Sequence, residues 1–280
     1  MSVQNFIPQL WSAQLLLANQ KNQVFRKVCN TNYEGEVSNA GDRVKINSIG
    51  PITVSDYTKN STSISYSALQ GNAQWLVLDQ AKYFSFSVDD IDAAQSNIDV
   101  MAAGMNEASY RLSDAADSYI AGLYAQAGVT TGLGTTGSPT SVTSSTVLAK
   151  MAEIARRLDD ASCPSQGRWI IVPPWFHLKI RLSLVSNTNV SEKPLIDGAA
   201  DRMLGFDIFV SNNVETSGSA TKVLAGTNEA ITYADGIVKT EAIRLSTAFA
   251  DGVRGLHVYG AKVCKADCLA CFSCSEGSES

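Results

Sequence analysis

One stretch of the sequence, residues 97–127, predicts a single long amphipathic helix, and it constrains the fold more than any other feature. Apolar side chains recur along it every three or four residues, and acidic and polar side chains fall between them. No proline interrupts it, and Gly128 can supply the left-handed residue that often ends a helix. Such a helix would be roughly 46 Å long, whereas most globular helices have about 8 to 20 residues. We therefore expect a beam-like helix with sheet-forming sequence on both sides of it.

The sequence before this helix, residues 36–88, predicts an extended β-arm. Strands are predicted at 42–47, 52–54, 64–66, 75–78 and 84–88. Residues 56–63 are polar and form the predicted tip of the arm. Because the strands are polar on both faces, the arm has little core of its own. We expect it to contact partners outside its own subunit.

The sequence after the long helix predicts an alternation of helices and strands. Residues 128–145 are rich in Gly, Ser and Thr and predict a loop. Amphipathic or proline-started helices are predicted at 146–161 and 173–184, and strands at 169–172, 206–210, 223–226, 231–233 and within 240–263. The fold class is therefore α+β. A helix-bearing middle lobe, residues 129–235, lies beside a lobe that combines the long helix with a sheet built from both ends of the chain.

The sequence contains no convincing catalytic or cofactor-binding constellation. Residues 132–137 match GxGxxG, but a dinucleotide site needs a strand before that pattern and a helix opening at its glycines, so we interpret it as a flexible loop. His177 and His257 have no ligand partner at metal-binding spacing and are predicted to be structural. The adjacent acids fit helix ends better than an acid/base pair; they are Asp89–Asp90 and Asp159–Asp160. We predict no catalytic residue, cofactor or metal ligand, and hence no enzyme.

Four cysteines near the end of the chain carry the sharpest chemical signal. Cys264, Cys268 and Cys271 have the Cys-x3-Cys-x2-Cys spacing of radical enzymes that hold an iron–sulfur cluster, and Cys274 follows. Residues 258–263 predict a strand that leads directly into them, whereas such a cluster needs a loop. Three interpretations stay open: small apolar cysteines in a terminal strand, adventitious metal binding, and a cluster. We favour the first, and we do not expect a disulfide framework.

The charge and hydropathy patterns argue against an overall basic, nucleic-acid-binding chain and against a membrane-spanning or secreted one. The net charge is −5, so the chain as a whole has no basic bias toward nucleic acid. The first 33 residues differ, because they contain Lys21, Arg26 and Lys27 and no acidic residue. No apolar run approaches the about 18 residues of a membrane span, and residues 1–11 do not have the pattern of a signal peptide. We expect synthesis in a reducing cytoplasm and no membrane partner.

Several segments together resemble the major capsid proteins of tailed bacteriophages with the Hong Kong 97-type fold. The strongest match is residues 249–263, which read FADGVRGLHVYGAKV. Others are 205–208 running into 211–213, 230–234, 172–175, and Phe6-Ile7-Pro8 with Trp11-Ser12. The order of elements is also similar. The resemblance implies an N-terminal arm (1–35), an extended β-hairpin or E-loop (36–88), a P-domain with a spine helix (89–128 and 236–280) and an A-domain (129–235).

The resemblance implies a structural protein that assembles into hexamers and pentamers of an icosahedral shell around double-stranded phage DNA. Its partners would be further copies of itself, a separate scaffold protein, a portal, a possible decoration protein and non-specifically bound DNA. It would be assembled in the cytoplasm of a bacterial host and reside in the virion. Two alternatives are an encapsulin-type shell that encloses cargo, which has the same fold, and a cytoplasmic enzyme with an unrecognised site.

The resemblance also implies two sets of site residues. Candidate contacts between subunits lie on the E-loop: Ile52, Val54, Asp56, Lys59, Ile64 and Trp75. Candidate contacts with DNA on the inner face are Lys21, Arg26 and Lys27. Some relatives crosslink an E-loop lysine to a P-domain asparagine of a neighbour. Lys59 could supply the lysine, but no asparagine follows Asn228, so we predict a shell without covalent crosslinks.

Overall fold

The computed structural model describes residues 24–32, 43–49, 71–89, 100–186, 202–247 and 249–278, and the single positions 52, 54, 56, 58 and 59. Predictions for residues 6–12, 64–66 and 97–99 lie outside this part of the chain. Within it, the helices are α1 (Phe25–Val28), α2 (Val100–Ala121), α3 (Val147–Asp160) and α4 (Pro174–Ser186), and 3-10 turns span Gly122–Gln126 and Ala266–Cys268. The strands are β1 (Arg43–Ile49), β2 (Gly71–Val77), β3 (Gln80–Asp89), β4 (Thr140–Val142), β5 (Arg168–Val172), β6 (Arg202–Met203), β7 (Phe206–Val210), β8 (Thr216–Ser217), β9 (Ala220–Thr227), β10 (Ile231–Arg244), β11 (Ala250–Val263) and β12 (Leu269–Glu276).

Helix α2 confirms the predicted long helix over the residues described, and it continues into the 3-10 turn Gly122–Gln126. Its end differs from the prediction. The chain leaves the turn at Ala127 in an extended conformation, with φ −66° and ψ 130°. The Gly128 N–H donates to the Ala266 carbonyl at 2.9 Å, and a Cβ at Gly128 would lie 2.7 Å from that oxygen. Close approach of two backbone segments, not helix capping, therefore requires glycine here.

A three-stranded antiparallel sheet, in the order β10–β11–β3, packs against α2. Met105 and Leu112 of the helix cluster with Val253 of β11, and Phe84 and Phe86 of β3 pack around them. Strand β3 contains the alternating segment predicted at 84–88 as part of the extended arm. Its partner in the structure is β11, so it anchors the arm in this sheet.

The arm itself is a two-stranded antiparallel hairpin. Strands β1 and β2 pair from Arg43 opposite Val77 to Ile49 opposite Gly71. The predicted strand at 52–54 is wrong at both positions described, because neither Ile52 nor Val54 lies in a strand. Both residues lie beyond the last residue pair of the ladder, Ile49 opposite Gly71, and both side chains are exposed.

The middle lobe is built on a larger mixed sheet in the order β4–β12–β9–β5–β7–β6, with β8 paired to β9. Strand β5 is parallel to β7, as is β4 to β12, while the other pairs are antiparallel. Helix α3 packs against α4 and β12. The core is large, and its fully buried side chains include Trp169, Ile170, Phe176, Phe206 and Phe272.

The last strand, β12, corrects one domain assignment. The sequence analysis grouped residues 236–280 with the P-domain, but β12 pairs with β9 and β4 inside the middle-lobe sheet. The reason is its burial: six of its eight residues, Leu269 to Cys274, are buried. A strand that is buried on both faces needs neighbours on both edges and cover on both sides. The loop predicted at 128–145 contributes one of those neighbours, the short strand β4.

Candidate assembly surfaces

The arm exposes apolar side chains on its outer face. In β2, Leu76 is fully buried, whereas Trp75 and Val77 on either side of it are 49% and 40% exposed. Further out, Ile52 is 71% and Val54 92% exposed. The predicted contacts Asp56 and Lys59 are exposed as well, and Ile64 lies outside the described residues. The structure thus places every described member of the predicted E-loop set on the surface of the single chain.

The base of the arm is held firmly on the three-stranded sheet. Ile46 and Leu76 pack against Ala234, with Cys264 beside them. Lys262 Nζ donates to the Trp75 carbonyl at 3.1 Å, and Gln74 Nε2 donates to the Cys264 carbonyl at 3.3 Å. The base of the arm is therefore fixed on its own subunit, whereas the side chains described further out, at 52, 54, 56, 58 and 59, are exposed.

Arg26, one of the three residues predicted to contact DNA on the inner face, is engaged inside the subunit. Its Nη1 donates to Asp235 Oδ2 at 3.1 Å, and both side chains are largely buried, at 14% and 6% exposure. The guanidinium also lies 5.8 Å from the centre of the Tyr233 ring. Arg26 is therefore part of an internal ion pair and is removed from the DNA-contact set. Lys27 is exposed, and Lys21 lies outside the described part of the chain.

Asp235 is the centre of a buried polar cluster that the sequence analysis missed. Besides Arg26, its Oδ2 lies 3.1 Å from His257 Nε2 and accepts a bond from the Tyr233 hydroxyl at 3.3 Å. His257 is 1% exposed and lies in β11, so its predicted position in a strand is confirmed. Arg26 and Asp235 are 209 positions apart, so no local spacing pattern could have paired them.

A second carboxylate ties the N-terminal segment to the spine helix. Asp117 of α2 accepts a bond from the Val24 N–H at 3.2 Å, at the start of α1. Burial raises the pKa of Asp117 to about 6, although bonds from the Val24 and Phe25 backbone act in the opposite direction. The N-terminal segment is thus attached at two buried acids, Asp117 and Asp235.

The remaining candidate constellations lie inside the middle lobe. Residues 132–137 form a loop rather than a strand-to-helix turn. This loop packs on the sheet, because Lys222 Nζ donates to Thr136 at 2.6 Å and Leu133 is 1% exposed. Cys268, Cys271 and Cys274 are buried in the core, as expected of apolar cysteines. Among the described residues, no group of three or more His, Cys, Asp or Glu side chains could hold a metal ion.

None of the helices in the described ranges is both long and apolar enough to cross a membrane.

His177 lies in α4, as predicted. Asp159 and Asp160 close α3, where Asp159 accepts a bond from Arg168 at 2.7 Å and Asp160 from Arg156 at 2.8 Å. These acids therefore stabilise a helix end and its loop.

Comparison with known proteins identifies this architecture. The family model described as phage capsid protein matches residues 72–271. A solved chain of Mycobacterium phage Che8 is 27% identical, with a TM-score of 0.75 over 89% of this chain and 90% of that one. The capsid structure of the cyanophage P-SCSP1u is 15% identical, with a TM-score of 0.71 over 91% and 89%. A virus-like particle from Pyrococcus furiosus is 12% identical, with a TM-score of 0.58 over 95% and 99%. Comparison with curated proteins gives no match.

The family match covers well over half of the chain, and the two phage structures share its fold over 89% and 91% of its length. A phage capsid is therefore favoured over an encapsulin-type compartment, and a structural role over an enzyme. The chain belongs to the phage capsid protein family, and it has the Hong Kong 97-type fold of tailed-phage major capsid proteins.

Proposed function

We propose that this chain is the subunit of an icosahedral phage shell, in which it forms hexamers and pentamers around double-stranded DNA. The observation that carries the proposal is the exposure of apolar side chains on the arm. Its base is packed on its own subunit through Leu76, while Trp75, Ile52 and Val54 project to solvent. In a closed shell, each arm would lie across the next subunit in a ring-closing, head-to-tail contact.

The energetics support such a contact. Each apolar side chain that becomes fully buried contributes about 1.5–3 kcal/mol, so the exposed part of the arm supplies only a modest free energy per subunit. A closed shell repeats the contact around every capsomer, and small terms of this kind then suffice. The similar structures include the capsid of the cyanophage and the capsid of a native GTA particle, and both are consistent with this mode of self-association.

Basic residues of the N-terminal segment are the proposed DNA contacts on the inner surface of the shell. With Arg26 engaged by Asp235, the proposed DNA contacts narrow to Lys27 and Lys21. Two lysines on each subunit would make weak contacts that depend on salt and ignore sequence. A separate scaffold, a portal and a decoration protein remain proposed partners, and the proposed location is the virion, after assembly in the host cytoplasm.

The test is assembly of a variant whose arm is charged. Ile52→Asp with Val54→Asp should keep the circular dichroism spectrum and thermal midpoint of the unassembled wild-type chain, because both side chains are already in solvent. When produced with the phage's scaffold, it should fail to form shells in electron micrographs.

The matched control is Ile52→Val with Val54→Ile, which keeps the two positions apolar and should assemble like wild type. Closed shells of normal size from the doubly charged variant would contradict the proposed role of the arm. A wild-type chain that stays monomeric with its scaffold would contradict the proposed function as a whole.

A further inference from the structure

Two cysteines from distant parts of the chain meet in the core of the middle lobe. Cys163 follows α3 and is 6% exposed, and Cys268 directly precedes β12 and is 9% exposed. The Cys268 thiol and the Thr227 side chain are among the groups that act on the pKa of the Cys163 thiol. Both cysteines are free thiols.

The pairing of the strands places Cys268 beside the end of β9. In β12, Leu269 lies opposite Gly226 of β9, so the preceding residue, Cys268, is directed toward Thr227. A Cβ at Gly226 would lie 2.6 Å from the Cys268 carbonyl oxygen, which shows how closely the two segments approach. On its other edge, β9 pairs Thr227 with Arg168 of β5.

Arg168 in turn fixes the loop that carries Cys163. Its Nη2 donates to the Cys163 carbonyl at 2.7 Å and to Asp159 Oδ1 at 2.7 Å, and its Nε donates to the Pro164 carbonyl at 2.8 Å. The guanidinium is nearly fully buried. Strand pairing and the contacts of Arg168 therefore bring the loop that carries Cys163 and the start of β12 to the same end of β9.

We propose that Cys163 and Cys268 are an oxidisable pair that closes to an intrachain disulfide when the folded chain meets a peroxide. One thiolate attacks the O–O bond of hydrogen peroxide, which gives a sulfenic acid and, after protonation, one water. The second thiolate attacks the sulfenic sulfur, the S–S bond forms, and the hydroxyl leaves as a second water. Two thiols are oxidised and one peroxide is reduced, so that atoms and electrons balance.

The environment of the pair makes this reaction slow. Burial, together with the contact to Cys268, raises the pKa of the Cys163 thiol to about 11. Only a small fraction of Cys163 is therefore thiolate at neutral pH. The pair stays reduced during folding in a reducing cytoplasm and closes later under oxidising conditions. The disulfide would join the α3–β5 loop to the start of β12. Its chemistry needs only the folded chain, whereas its benefit to a released particle rests on the proposed function.

The experiment uses the purified, unassembled chain, so its outcome is independent of shell formation. The chain is exposed to hydrogen peroxide, unfolded without reductant, and its thiols are titrated. The count should fall from the six cysteines of the sequence to four, and digestion followed by mass spectrometry should give a Cys163–Cys268 peptide pair. The rate should rise about tenfold per pH unit between pH 7 and 9, because the thiolate fraction does.

The variants separate this pair from the other thiols. Cys163→Ser and Cys268→Ser should each lose no further thiols under the same treatment. The control Cys264→Ser removes a half-buried cysteine of the same terminal group and should still lose two. The oxidised wild-type chain should unfold roughly 5–10 °C higher than the reduced chain, because the disulfide closes a long loop. Any other linkage, or overoxidation of Cys163 with no link, would overturn the proposal, even if the serine variants fail to fold.

Discussion

The arm and the middle lobe both present strands, but they bury apolar surface very differently. Among the side chains described in the hairpin of β1 and β2, two large ones form its buried core, Ile46 and Leu76, and both pack on Ala234 of the sheet below. The lobe, by contrast, buries aromatic and aliphatic side chains from five strands of its main sheet, β4, β5, β7, β9 and β12, and from helices α3 and α4. A two-stranded ribbon is marginal in water unless something packs on it. The lobe should therefore determine the stability of the single chain, and the arm should depend on neighbouring subunits.

The largest expected effect comes from breaking the lobe. Phe176 in α4 is fully buried and meets Phe272 of β12 edge-on, with 6.4 Å between ring centres. Phe176→Ala should destabilise the chain by about 3–5 kcal/mol, because it leaves a cavity in a close-packed core. Urea denaturation followed by tryptophan fluorescence would measure the change. A loss below about 1 kcal/mol would mean that the lobe does not dominate stability.

A substitution in the arm, Leu76→Ala, is the counterpart of Phe176→Ala in the lobe. Leu76 is buried to the same extent as Phe176, but it belongs to a much smaller cluster. Leu76→Ala should release the arm locally while leaving the global unfolding transition within about 1 kcal/mol of wild type, since the lobe unfolds independently of it. Limited proteolysis should then cut within residues 43–77 faster than in wild type. A global loss as large as that of Phe176→Ala would contradict the separation of the two regions.

A smaller effect concerns the attachment of the N-terminal segment. The pKa of Asp117 is raised from 3.8 to about 6 in the folded chain, so the folded state binds a proton more tightly than the unfolded state does. The resulting stabilisation is complete below pH 3.8 and is lost as the pH rises through 6. Asp117→Asn keeps an acceptor for Val24 and stays neutral. It should be more stable than wild type at pH 7.5 by on the order of 1–3 kcal/mol.

That advantage should shrink as the pH falls toward 4, and urea denaturation across this range measures it. Asp56→Asn removes one negative charge from an exposed position of the arm and controls for net charge. An advantage for Asp117→Asn that is the same at all pH values would contradict the link to protonation of Asp117.

The smallest expected effect is at Lys59. It is exposed, but the sequence provides no asparagine after Asn228 to receive a crosslink. Lys59→Arg particles should therefore be as stable as wild type, and both should run as a single band near 29.9 kDa on a denaturing gel after boiling. A ladder of oligomers that resists reductant, and that Lys59→Arg abolishes, would show that the arm is covalently joined to its neighbour.

The sequence predicted the elements whose signal is local. Apolar spacing is enough to find α2, and the strand at 206–210 appears as β7 with the predicted bounds. Alternation also identified β3, but not its partner, because pairing with β11 joins residues far apart in the chain. The same reason explains why β12 was assigned to the wrong sheet.

The candidate site was predictable in part. Because the arm is polar on both faces, its few apolar side chains were predicted to contact neighbouring subunits rather than a core. The structure shows that Ile52, Val54 and Trp75 are exposed in the single chain. The role of Arg26 did not follow, because a cluster of basic residues in the sequence gives no sign of the buried acid it meets, Asp235. Ile52 and Val54 were also expected to form a strand, since β-branched residues favour strands wherever packing allows.

We expect the arm to be stabilised by neighbouring subunits, whereas the lobe should be stable in a single chain. Amide hydrogen exchange on the unassembled chain and on assembled shells tests it directly. We expect the amides of β5 and β9 to be strongly protected in both states, and those of β1 and β2 to gain protection only on assembly. Equal protection of the arm in both states, or loss of protection in the lobe of the unassembled chain, would contradict the account.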